Sequence, residues 1–130
     1  GEAQVVNTPS SARLFTAPAV ARTRVIALAA ADKGGIAGWQ LSGGRLVPSF
    51  QVGQQGGTSP VIAGDLLYVY DPGGKLLIYS GPHFEHQVAT LECGKGHWNS
   101  PIVADGRIAL PEGNANDHAT TGILNIWRLH

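Results

Sequence analysis

Charge is scarce in this sequence. Only 14% of its 130 residues are Asp, Glu, Lys or Arg, against the usual quarter, and nine acidic residues balance nine basic ones. A nucleic-acid surface needs Lys and Arg gathered in excess on one side, so that class of partner is excluded. Cysteine is nearly missing too. Cys93 stands alone, which rules out an intrachain disulfide and leaves the redox compartment unreadable from cysteine pairing. It reads as a small packing residue. No apolar run reaches the length of about eighteen residues that a membrane helix needs. The start carries no basic segment leading into an apolar one, as a secretory signal would. The chain opens on Gly1 and not on Met, which suggests a processed or excised polypeptide.

Glycine and proline, by contrast, are abundant. Eighteen Gly and eight Pro are scattered among short runs rich in Val, Ile and Leu instead of forming one low-complexity tract. Many short strands separated by turns produce that composition. A chain of this length makes one domain and buries roughly two-thirds of its unfolded surface, so a sizeable core is within reach.

One short signal occurs three times: Thr16-Ala17-Pro18-Ala19-Val20-Ala21, Thr58-Ser59-Pro60-Val61-Ile62-Ala63 and Asn99-Ser100-Pro101-Ile102-Val103-Ala104. Its prolines fall 42 and 41 residues apart. After each copy come a tight polar turn (22–24, 64–65, 105–106) and a second apolar run (25–29, 66–70, 108–110). Two strands joined by a hairpin fit this order. A Gly-containing polar loop then leads to a third run ending near Trp39, Tyr79 or Trp127. Fourth runs follow at 46–52 and 87–91. The alanines within 25–33 would suit a helix, but the flanking turns and the β-branched runs of the other two units outweigh them.

Four strands in about 41 residues describe one blade of a β-propeller, so the expected fold is all-β. About three blades are present, over units 16–57, 58–98 and 99–130 of a single domain 1–130. Residues 1–15 are a candidate for the closing outer strand of the last unit. Propellers have about four to eight blades. The chain is therefore expected to be part of a larger propeller or to complete a ring by dimerising.

Strand direction alternates within a blade, so the loops over 53–57, 94–99, 112–122, 32–35 and 71–74 are expected on one face. His97, Trp98, Asn99, Asn114, Asn116, Asp117 and His118 then form the candidate ligand-binding cluster, since loops on a rigid scaffold carry binding groups. The loop 80–86, with His83 and His86, is expected on the opposite face. Asn, Asp and Gly in the long loop are also the residues that suit tight turns. Glu112, Asn114, Asn116 and Asp117 offer oxygens to a hard cation but lack the acidic ligand set of a helix-loop-helix calcium site. His97 and His118 fall short of a transition-metal set without a third ligand. No metal ligand is therefore assigned.

No catalytic residue is assigned either. Ser59 and Ser100 lie in the strand signal without the Gly-x-Ser-x-Gly setting of a nucleophile elbow. The stretch Gly53-Gln54-Gln55-Gly56-Gly57-Thr58 lacks the Gly-Lys-Ser/Thr ending of a phosphate loop. Trp98 is the one aromatic in a polar loop, whereas Trp39, Tyr79 and Trp127 read as packing residues.

The units 58–79 and 99–128 resemble the pyrroloquinoline-quinone-like (PQQ-like) propeller repeat: Ser-Pro and two apolar residues, a turn, a Val-Tyr-like strand, then a Gly-led third strand. The likeness runs over nearly the whole chain. It departs from the family where a docking Trp belongs in strand four, since Pro48 stands near that place in the first unit and Thr90 or Leu91 in the second. The resemblance implies a bacterial periplasmic or secreted propeller that keeps the repeat without a prosthetic group. Such a protein is a non-enzymatic scaffold for a protein or small polar ligand. An alternative is the C-terminal piece of an oxidoreductase using PQQ with calcium, with Glu112, Asn116 or Asp117 near the cofactor. A structural module completing a larger propeller is a third expectation.

Overall fold

A computed structural model describes residues 4–8, 14, 16–28, 35–52, 57–97, 99–113 and 122–129, and of 24–28 the backbone alone. Strands account for its regular structure, and no helix occurs among these residues. None is therefore long and apolar enough to cross a membrane.

Among the described residues eleven strands form three antiparallel meanders. The first sheet holds β1 (Ala19–Ala21), β2 (Arg24–Leu28), β3 (Ile36–Ser42) and β4 (Arg45–Val52) in that order. The second holds β5 (Val61–Ala63), β6 (Leu66–Asp71), β7 (Lys75–Ser80) and β8 (His86–Glu92). The third holds β9 (Ile102–Ala104), β10 (Arg107–Pro111) and β11 (Leu124–Arg128). Each repeated Pro directly precedes the short first strand of its sheet. The polar turn after that strand closes a two-residue hairpin. At Asp105-Gly106 both turn residues are left-handed, φ 48° and 67°, as the primed turns of tight hairpins require.

The two four-stranded sheets share an irregularity. The register of β3 on β4 shifts between Gly38 and Trp39, and that of β7 on β8 between Ile78 and Tyr79. A β-bulge at equivalent places extends the repeat below the level of strands. In the first sheet Pro48 sits beside it on the edge strand, one of the few strand positions where a residue without N–H is tolerated.

The two larger apolar clusters lie between sheets. Leu67, Val69, Leu77 and Tyr79 of the second sheet pack with Ile36, Phe84 and the half-buried Phe50 and Val52. On its other face Tyr68, Tyr70, Leu76 and Ile78 pack with Ile108, Leu110 and the half-buried Val103 and Trp127. A strand covered on both faces needs an unbroken apolar run, which β6 and β7 have. By contrast, β10 and β11 alternate buried or half-buried with more exposed positions, because only one face of the third sheet is covered. The short strands β1 and β5 lie side by side, as do β5 and β9.

Residues 4–8 lie over the far face of the first sheet, where Val6 packs against Ala37 and Trp39. The Gln4 side-chain amide takes both polar groups of Leu46 on the free edge of β4. Its Nε2 donates to the Leu46 carbonyl at 2.9 Å, and its Oε1 accepts from the Leu46 N–H at 2.8 Å. An exposed strand edge is blunted in this way.

Candidate functional site

The turn between β6 and β7 is built by Asp71, whose Oδ1 accepts from Gly73 N at 2.8 Å while its carbonyl accepts from Gly74 N at 3.0 Å. The chain leaving β8 is tied to this turn: Cys93 N donates to Gly74 O at 3.0 Å and Gly96 N to Pro72 O at 3.2 Å. It then crosses to the third sheet. There Gly96 and Gly113 form an isolated parallel bridge, closed by His97 N to Gly113 O and Gly113 N to Lys95 O, both 3.2 Å. Asn99 Nδ2 donates to the carbonyls of Pro111 at 2.7 Å and Gly113 at 3.3 Å. The turn 71–74, the crossing 93–97 and the end of β10 thus meet at one end of the sheets.

Glu112 holds this junction together. Half-buried, its Oε1 accepts from Gly94 N at 2.5 Å and from Asn125 Nδ2 of β11 at 2.6 Å. The other side of Gly94 is held by Tyr70, whose hydroxyl donates to its carbonyl at 2.7 Å. A Cβ at position 94 would push the Glu112 carboxylate out of this place.

Burial pushes the Tyr70 hydroxyl up to about 12, helped by the nearby Cys93, Glu112 and Asp71. Burial likewise pushes the Cys93 thiol up to about 11, with Glu112 and Glu92 adding to it. A thiol so placed stays protonated at neutral pH and is a poor nucleophile. The arrangement can present hydrogen-bonding groups in fixed positions. Among the described residues no three His, Cys, Asp or Glu side chains are grouped to hold a metal ion.

Of the residues expected to cluster, His97 and Asn99 are brought together here. Trp98, Asn114, Asn116, Asp117 and His118 lie outside the described residues. Tyr70 and Asn125 were not legible as site residues, because each enters through a contact to a loop 24 or 13 residues distant that leaves no periodic trace. The turn carrying His83 and His86 lies at the other end of β7. There Glu85 accepts from His83 N at 2.9 Å and approaches His86 Nε2 at 3.6 Å, while the His83 ring packs 6.0 Å from Phe50. The two N–H bonds from residues 85 and 83 hold the Glu85 carboxyl below its ordinary range.

Two clefts open at that same end, without any advance signal in the sequence. One, of about 380 Å³ between the first and second sheets, has Arg22, Thr23, Gln40 and Asp65 around a floor of Ile62 and Phe84. The other, of about 420 Å³, repeats it between the second and third sheets around Asp65, Tyr68 and Asp105. Compared with protein-family models, curated proteins and solved structures, the chain matches none.

Proposed function

We propose that this chain is a non-enzymatic binding scaffold, part of a β-propeller of PQQ-like repeats, whose loop face around His97, Asn99 and Glu112 receives a protein or small polar ligand. One observation carries the reading: the second sheet is stacked face to face between two others, with the short leading strands β1, β5 and β9 adjacent. Sheets arranged in this way are the building units of a propeller. The connections at one end, tied down through Glu112 and Asn99, supply the rigid loops on which binding groups sit. Trp98, Asn114, Asn116, Asp117 and His118 complete the proposed face by their place in the sequence. A periplasmic or secreted location rests on the resemblance alone.

The test compares capture of partners from an extract of the source cells by the intact chain, by Trp98→Ala and by His86→Ala on the opposite face. A partner retained by His86→Ala and lost with Trp98→Ala is expected. Equal capture by all three, or none, would overturn the loop-face assignment. Uptake of PQQ in the presence of calcium, followed by absorbance, would replace the scaffold reading with that of an oxidoreductase.

A further inference from the structure

The repeat allows equivalent positions to be compared in three settings. Ala19, Val61 and Ile102 open the first strand of each sheet and point forward, toward the next. Ala19 is buried on the side of the first sheet that carries Phe50, and Val61 packs into the core shared with the third sheet. Among the described residues Ile102 has no sheet in front of it, and it is 67% exposed. Register places Ala109 and Ile126 beside it and Leu124 opposite Pro111 on the same face; Ile126 and Leu124 are 61% and 56% exposed.

The next residue of each strand points backward. Ile62 and Val103 pack against the preceding sheet, whereas Val20, with no sheet behind it among the described residues, is 66% exposed. Leu41 is bare on that same far face, and residues 4–8 present Val5 there, 67% exposed. The front of the third sheet is therefore left exposed, and the back of the first sheet, where Val6 covers Ala37 and Trp39, presents Val20, Leu41 and Val5.

We propose that the outer face of the third sheet is an assembly surface whose occupant is the first sheet of a second copy of this chain. The inference rests on the propeller reading above. The order of the stack argues for it: the apolar front of the third sheet, Ile102, Leu124 and Ile126, meets the apolar back formed by the first sheet with residues 4–8, so that first, second and third sheets follow one another from copy to copy. Two copies give six sheets, within the size range of propellers, closed by two identical contacts related by a two-fold axis.

Sedimentation of the unmodified chain tests this, with twice its 13.6 kDa expected. Ile126→Asp and Val20→Asp each alter an exposed side chain, so each is expected to sediment as a monomer with an unchanged far-ultraviolet circular dichroism spectrum. An equal mixture of the two regains a dimer, because one of its two contacts pairs an intact front with an intact back. A monomeric unmodified chain overturns the proposal, as does a dimer that survives Val20→Asp. Failure here is separable from failure of the scaffold reading, since a monomer that still binds a partner through Trp98 loses only the assembly surface.

Discussion

Gly38 and Phe50 occupy, just before the bulge of the first sheet, the paired positions that Ile78 and Ala89 occupy in the second. The same cross-strand volume is divided in opposite ways. In the first sheet the Phe50 ring lies over the bare backbone of Gly38, where any Cβ would overlap it, and meets the Phe84 ring edge-on at 6.0 Å. Removing the half-buried ring in Phe50→Ala costs about 2 kcal/mol, below the range for a fully buried Phe. Gly38→Ile gains β propensity but drives its side chain into the ring, for a net cost of about 1–2 kcal/mol. Combining the two installs the pair from the second sheet, so the double variant is expected within about 1 kcal/mol of the unmodified chain, a coupling of about 2–3 kcal/mol. Urea unfolding followed by circular dichroism measures all four corners of the cycle. If the double variant loses the sum of the single losses to within about 0.5 kcal/mol, the volume-exchange reasoning is wrong.

Glu112→Ala strands the Gly94 N–H and the Asn125 amide, for a loss of about 2 kcal/mol, whereas Glu112→Gln keeps an acceptor oxygen and loses less; equal losses in urea unfolding would refute the bridging role. Tyr70 has a folded pKa of about 12 against an ordinary 10, so the folded state holds its proton more tightly. Its contribution is complete below pH 10 and is lost as pH rises toward 12, on the order of 2 kcal/mol, so Tyr70→Phe should make the alkaline fall in stability shallower while leaving the share due to Cys93. Thr58 is buried with its hydroxyl unpartnered. Thr58→Val should therefore raise stability by about 1 kcal/mol, and a lower unfolding midpoint would contradict this.

The strands were legible because three independent signals recur in each unit: the repeated Pro before its first strand, the turn residues and the β-branched or aromatic runs. Double burial of the second sheet was foreshadowed by the unbroken runs of β6 and β7, in which no polar residue interrupts positions 66–70 or 76–79. Contacts joining a side chain to a distant backbone were not legible. Nothing in Gln4 announces that its amide serves Leu46, 42 residues on. The loops meeting at Gly94 and Glu112 follow from strand alternation, but the carboxylate bridge depends on a glycine and a glutamate 18 residues apart finding one geometry.

Because the two larger apolar clusters are each shared by two sheets, no unit encloses the main core by itself. A single unit cut from this chain would have a sheet with little to bury it, whereas adjoining units stabilise one another. The second sheet, covered on both faces, should therefore hold its amide hydrogens longest against exchange with deuterium, and opening should begin in the outer two. The same arrangement makes chain length adjustable in whole steps: insertion or removal of one period exchanges a contact between neighbours without dismantling a closed interior.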